Sequence, residues 1–293
     1  MVPWHDIESS IARATGRPFR IASRAAIGGG CINEAYRVEG AGRACFVKVN
    51  HAGRSGMFAA EADGLAALAD ARALRVPRPI CQGVHGGHSW LVVEYLELKP
   101  LGGAGLSALG RGLARLHRKT SDRYGWHRDN TIGLTTQRNA PAGDWVAFWR
   151  EQRLGYQLEL ARAKGGGPRL DALGRRLLDK LPDFFAGYRP AASLLHGDLW
   201  SGNAAETDQG EPVLYDPAVY YGDRETDLAM TELFGGFGPS FYDAYRAEYA
   251  LDAGYETRKP LYNLYHVLNH FNLFGGGYAV QAQRMMEALL AVS

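Results

Sequence analysis

The hydrophobic pattern of the chain changes period once, and that change limits the folds open to it. Up to about residue 97 the apolar residues fall in short strand-like runs separated by glycine turns at 28–30 and 40–42. Two helical patterns interrupt them, at 4–15 and 55–70. In the second of these Phe58, Leu65 and Leu68 share one face. The run VPRPICQGV and then SWLVVEYLEL close this first part as further strands. After the Pro/Gly linker KPLGGAG (99–105) the period becomes that of helices, at 106–120, 144–164, 169–185, 225–234, 239–250, 259–274 and 278–291. A loop-and-strand insert lies near 194–218, and GWHRDNTIG reads as an irregular loop. The expectation is an α+β chain of two lobes: an antiparallel sheet with helices over 1–97, and a mostly helical lobe over 98–293.

Composition narrows the function. In 293 residues, 33 Lys and Arg against 31 Asp and Glu leave a formal charge of +2. That gives no electrostatic footprint for nucleic acid. No run of 18 apolar residues suggests a membrane span, and no apolar segment near the start suggests a secretory signal. Three cysteines without paired spacing fit neither a disulfide framework nor a zinc site, so the expected setting is reducing and cytoplasmic. His85, His88 and His117 have no metal-site spacing and read as surface or local hydrogen-bonding residues.

The chemistry concentrates in His196-Gly197-Asp198-Leu199-Trp200-Ser201-Gly202-Asn203, followed by Asp216 at the end of the apolar strand Val213-Leu214-Tyr215. Two acids and an amide, each at the end of a short apolar element, can converge on one point. Phosphoryl transfer needs that grouping: one carboxylate for the attacking hydroxyl, and an amide oxygen with a second carboxylate for magnesium. In isolation, Asp-x4-Asn could equally cap a turn. Lys48 lies in the apolar strand Cys45–Val49, on the face opposite Cys45, Val47 and Val49. A lysine buried there needs an anion, and Glu61, on the apolar face of the 55–70 helix, is the candidate. The alternative is a Lys48 that snorkels from a sheet edge. Gly28, Gly29 and Gly30 precede Lys48 and could bring backbone N–H groups to a phosphate, although a hairpin turn looks the same. No Walker A pattern follows them. Glu94, Tyr95 and Leu96 end the last strand before the linker, where backbone groups can meet an adenine edge.

With these residues in order, the chain resembles the fructosamine/ketosamine-3-kinase family, within the protein-kinase-like, aminoglycoside-phosphotransferase-like fold. The resemblance rests on GGGCINEAYRV, FVKVN, MFAAEADGL, LVVEYLEL, GWHRDNTIG, LLHGDLWSGNAA, LYDPAVYYGDRETDLAMTELFGGF and LYHVLNHFNLFGGGY, which span nearly the whole chain. It implies ATP-dependent phosphorylation of the 3-hydroxyl of a ketosamine (a ribulosamine, erythrulosamine or fructosamine). The product is unstable and releases the amine, which amounts to deglycation and repair. By the same resemblance Asp198 is the catalytic base and Asn203 and Asp216 bind Mg²⁺. Lys48 contacts the ATP phosphates, Glu61 holds Lys48, and Glu94–Leu96 form the adenine-facing hinge. His-Gly-Asp replaces the His-Arg-Asp of protein kinases, Asp216 is followed by Pro-Ala, and no Ala-Pro-Glu segment follows, so a phosphorylation-controlled protein kinase is not expected. Other readings are a kinase of the same fold for an aminoglycoside, choline-like alcohol or free sugar, and a nucleotide-binding regulator without turnover.

Three further residues are singled out. Trp200 either stacks on the sugar or packs between the lobes. His270, in the polar and aromatic run 269–278, either reaches the sugar or satisfies helix ends. Cys31, in the glycine run, is a candidate for oxidation that blocks ATP binding. Asp223, Glu225 and Asp227 are expected to support the catalytic loop from the start of a helix. The ketosamine carrier and the oligomeric state are open.

Overall fold

The structure, a computed structural model, describes residues 1–28 and 32–292. Gly29, Gly30 and Cys31 lie outside the described residues. The first lobe holds helix α1 (Trp4–Thr15), strands β1 (Ser23–Ile27), β2 (Glu34–Gly40) and β3 (Arg43–His51), helix α2 (Ser55–Ala71), and strands β4 (Pro79–His85) and β5 (His88–Glu94). The strands form one sheet in the order β1-β2-β3-β5-β4, antiparallel at every junction. The two faces of β3 separate as its alternation requires. Cys45, Val47 and Val49 pack under α1 with Ile7, Ile11, Val38, Trp90 and Val92. Phe46 and Lys48 face the other way, into the space between the lobes.

The second lobe opens with α3 (Gly103–Leu116), β6 (Thr120–Ser121) and a short hairpin, β7 (Asn130–Ile132) and β8 (Thr135–Gln137). It continues through α4 (Trp145–Phe148), a π-helical stretch (Trp149–Leu154), α5 (Gly155–Ala163) and α6 (Gly167–Lys180). Short strands β9 (Ala192–Leu195), β10 (Ala204–Glu206), β11 (Pro212–Leu214) and β12 (Tyr220–Gly222) carry the loop region, and helices α7 (Glu225–Leu233), α8 (Pro239–Glu248), α9 (Tyr255–Phe274) and α10 (Tyr278–Val292) complete the chain. One apolar cluster crosses between the lobes: Phe58, Leu65 and Leu68 of α2 join Leu109 and Leu113 of α3, Leu194 of β9 and Leu214 of β11. Among the described residues no helix is long and apolar enough to cross a membrane.

Four expectations need correction. The helix expected over 144–164 is interrupted by the π-helical stretch, whose wider turn accompanies the complete burial of Arg153. The helix expected over 106–120 stops at Leu116, and Thr120–Ser121 pairs with β9 instead. Helix α9 starts at Tyr255, a turn before the expected 259, after Asp252 caps the preceding loop through its Oδ1 and the Gly254 N–H. His117 is fully buried rather than on the surface, bonded to Tyr245 and Asp227.

Burial holds His117, His196 and His266 in the neutral form by pushing each pKa below the ordinary histidine value, His266 to about 3. An unfolded chain takes up those protons as pH falls through about 6.5, and the folded chain does not, so acid destabilises the fold. From the His266 value the contribution lost between pH 7 and pH 5 is about 2 kcal/mol. Denaturant titrations of His266→Gln and the parent chain at those two pH values should differ in their acid sensitivity by about that amount, the variant being the less sensitive.

Candidate active site

A cleft of about 730 Å³ separates the lobes, and Lys48, Glu61, Asp198, Asn203 and Asp216 all line it. Lys48 Nζ lies 2.6 Å from Glu61 Oε1 and 2.6 Å from Asp216 Oδ1, so one ammonium joins the sheet, α2 and the second lobe. Burial alone disfavours the lysine charge, but the Glu61 and Asp216 carboxylates outweigh it and hold the pKa above the ordinary lysine range. The snorkelling alternative is thereby excluded: Lys48 is 7% exposed.

The loop after β9 is built from the backbone outward. Gly197 has φ +82°, and a Cβ placed there would stand 2.0 Å from the Ala218 carbonyl oxygen, so both conformation and space demand glycine. Its N–H and that of His196 donate to the Asp227 carboxylate at 2.8 and 2.7 Å. Asp227 lies in the first turn of α7 and is also 3.2 Å from His117 Nε2. The His196 ring then ties two segments together: Nε2 donates to the Tyr215 carbonyl, and Nδ1 accepts from the Asp198 N–H. The N–H of Ala218 donates to the His196 carbonyl at 2.8 Å and that of Tyr215 to the Asn203 carbonyl at 3.1 Å. The Asp198 loop and the Asp216 segment are thus zipped into one unit. The expected support role of Asp227 is present in these bonds.

At the end of this unit Asn203 Nδ2 donates to the Asp198 carbonyl and, at 3.3 Å, to Asp198 Oδ2. The amide is therefore oriented with its Oδ1 left over as an oxygen donor. Burial raises the Asp198 pKa to about 7, reinforced by the neighbouring Asp216 charge and opposed by the Asn203 hydrogen bond. Half-exposed Asp216 takes a left-handed backbone, φ +56°.

The remaining expected positions divide. Gly28 lines the cleft, but a Cβ there would meet nothing within 4 Å, so space does not require glycine at that position. Glu94, Tyr95 and Leu96 line the cleft. The Glu94 side chain is occupied, 2.6 Å from Arg75 Nη2, which leaves only main chain for a ligand edge. Trp200 is 38% exposed and lines the cleft, so it is not buried between the lobes. Its ring lies over Gly202, where a Cβ would come within 2.3 Å of it. His270 is outside the cleft lining, its Nδ1 bonded to the His266 carbonyl at 2.8 Å. It is linked to Trp200 through Phe234, whose ring centroid is 6.4 Å from Trp200 and 5.0 Å from His270. His85 is paired with Asp6, and His88 Nδ1 lies 3.0 Å from the Gly86 carbonyl.

GWHRDNTIG was expected as an irregular loop; its end forms β7 of the hairpin instead, and Asn130, Thr131 and Gly133 line the cleft. Just before it, Arg128 Nη1 lies 2.7 Å from Asp63 Oδ2 on α2, an ion pair between the lobes two residues beyond Glu61. The signal available in sequence was a polar Asn-Thr pair leading an Ile-Gly turn.

Comparison with known proteins places the chain in a family. The profile described as fructosamine kinase matches residues 3–292. The chain belongs to the fructosamine kinase family. It is 48% identical over 291 residues to a probable ketoamine kinase of Synechocystis sp., covering 99% of this chain and 98% of that one. It is 43% identical over 279 residues to the chloroplastic protein-ribulosamine 3-kinase of Arabidopsis thaliana, covering 94% and 85%. A fructosamine-3-kinase candidate from Haemophilus somnus 129PT superposes with a TM-score of 0.90 at 31% identity, covering 98% of this chain and 97% of that one. An aminoglycoside phosphotransferase, APH(4)-Ia, shares the two-lobed kinase-like fold, with a TM-score of 0.63 at 18% identity over 97% of this chain and 98% of that one.

Gly197→Ala combines a left-handed backbone with a clash against main chain, and should lower the free energy of unfolding by about 3 kcal/mol or more in denaturant titration.

Proposed function

We propose that the protein is an ATP-dependent ketosamine 3-kinase with Asp198 as the base for the sugar 3-hydroxyl. The observation that carries this reading is the convergence of Asp198, Asn203, Asp216 and Lys48 on one cleft in a member of the fructosamine kinase family. Asp198, beside the cleft and with a pKa near neutrality, is suited to accept the hydroxyl proton as the oxygen attacks the γ-phosphorus of ATP. ADP leaves, and the ketosamine 3-phosphate then eliminates inorganic phosphate; hydrolysis of the resulting imine by one water frees the amine and leaves a 3-deoxy dicarbonyl sugar. Lys48, held charged by Glu61, is the cation for the nucleotide phosphates, and the main chain of Glu94–Leu96 is the edge for adenine. Gly28 belongs to the phosphate-side wall in this reading, and Gly29 and Gly30, next in sequence, are the further candidates for phosphate contact.

The donor set fits magnesium. Asn203 presents an uncommitted Oδ1, Asp216 a half-exposed carboxylate, and few protein ligands suffice for an ion that shares its shell with phosphate oxygens. Magnesium, when bound, neutralises phosphate charge. On the substrate side, exposed Trp200, with Phe234 and His270 behind it, offers a surface for the sugar and its amine carrier. Free Cys45 and Cys81 accord with a reducing compartment, for which we propose the cytoplasm.

ATP consumption with Mg²⁺ should be seen with ribulosamine, erythrulosamine or fructosamine derivatives of lysine and not with choline or an aminoglycoside. Turnover restricted to those controls would overturn the substrate class. Asp198→Ala should lose roughly 10²–10⁴-fold in kcat while keeping nucleotide affinity. Trp200→Ala should raise the ketosamine KM about tenfold and leave the ATP KM in place, with a smaller effect in His270→Ala.

A further inference from the structure

Asp216 has a left-handed backbone, φ +56°, between residues already bonded to the Asp198 loop, Tyr215 and Ala218. It is one of three non-glycine residues with positive φ among the described residues; the other two, Ala41 and Arg72, sit in a hairpin turn and at a helix end. Aspartate enters the left-handed region more readily than most L-residues, but the conformation still costs free energy and is kept where surrounding structure holds it. Asp216 is also half-exposed, so burial of its own side chain does not hold it.

A further restraint, from outside the Asp198 loop, lies two and three residues on. Gln137 Nε2 donates to the Ala218 carbonyl at 3.0 Å, and Asn130 Nδ2 donates to the Val219 carbonyl at 2.8 Å. These two amides are locked together, because Asn130 Oδ1 accepts from Gln137 Nε2 and from Asn139 Nδ2, both at 2.9 Å. The outer shell closes the network: the Tyr265 hydroxyl donates to Gln137 Oε1 at 2.9 Å, and Arg153 Nη2 donates to Asn139 Oδ1 at 2.8 Å. Gln137, Asn139 and Arg153 are all at most 1% exposed. Arg153 has no carboxylate partner among the described residues; its guanidinium is held by the Tyr220 ring, 4.0 Å away, and by carbonyls. A buried cation and three buried amides are an expensive way to support a hairpin that could have been packed with aliphatic residues. Two of these amides, Asn130 and Gln137, end on main-chain oxygens of the segment that carries Asp216, and Asn139 and Arg153 stand behind them.

We propose that the buried amide cluster Asn130–Gln137–Asn139, backed by Arg153 and Tyr265, is the positioning device for Asp216: it clamps the Ala218 and Val219 carbonyls and so keeps the metal-facing carboxylate in its strained orientation. The proposal rests on the reading of Asp216 as a magnesium ligand. Gln137 is a positioning residue and touches neither nucleotide nor sugar. The same hairpin, through Arg128 and Asp63, holds α2 from the other side, so the metal segment and the Lys48–Glu61 pair share one support.

The test is calorimetric titration of a non-hydrolysable ATP analogue with Mg²⁺ and with EDTA, together with kcat. Gln137→Met removes both donors at similar side-chain volume. It should leave affinity in EDTA unchanged, cut the Mg²⁺-dependent gain in affinity, and lower kcat about tenfold. Tyr265→Phe removes only the hydroxyl that orients Gln137 and should shift the same two quantities less, which decides the matter if Gln137→Met does not fold. Leu177→Val, in the core of the helical lobe, is the control for general destabilisation and should leave the Mg²⁺-dependent gain intact. A Gln137→Met protein with lowered Tm but an unchanged Mg²⁺-dependent gain overturns the positioning role, provided Asp216→Asn has lost that gain. If Asp216→Asn keeps it, the metal reading itself falls and the proposal falls with it.

Discussion

The ammonium of Lys48 is the point on which the two lobes agree. It is buried in the face of an apolar sheet, where an unpaired charge would be untenable, and it is satisfied only when α2 brings Glu61 and the second lobe brings Asp216 within hydrogen-bonding distance. A buried pair of this kind adds little net stability compared with an apolar replacement. What it does is make one arrangement of the lobes much better than any other. The shared apolar cluster from α2 to α3 and β11 supplies the adhesive, without directional preference, and the ion triad supplies the register.

The loop that carries Asp198 shows how a short motif is made rigid. The His196 and Gly197 N–H groups donate to one carboxylate, Asp227, and the His196 imidazole, neutral because it is buried, bridges to the segment of Asp216. That explains why His, Gly and Asp occur as consecutive residues: His196 ties the two segments, Gly197 makes the approach to Ala218 possible, and Asp198 is delivered to the cleft. The β7–β8 hairpin is bonded to the segment after Asp216 through Asn130 and Gln137, and Arg128 just before it is paired with Asp63 of α2.

Much of this was legible in the residues themselves. The change of period near 99–105 separates the sheet from the helices, the alternation in Cys45–Val49 places Lys48 opposite the α1 core, and the apolar face of α2 predicts where Glu61 points. The helical interruption at Trp149–Leu154 was not legible, because periodicity weighs apolar residues and is blind to an arginine that must be buried. His117 was misplaced for the same reason: a polar residue at a helix end looks exposed until its partners, Tyr245 and Asp227, are known from 128 and 110 residues away.

The sequence alone determined the family, the change from a sheet-rich to a helical lobe and most of the long helices, since these follow from local pattern and from residue types at short spacing. Only the tertiary structure decided which acid meets Lys48, how Asn203 turns its amide, that Trp200 stands in the cleft while His270 stands behind it, and that Asn130 and Gln137 grip the main chain after Asp216. The physical reason is range. Helix and strand propensities act over a few residues, whereas a hydrogen bond acts over about 3 Å of space and is indifferent to the 81 residues of chain between Gln137 and Ala218.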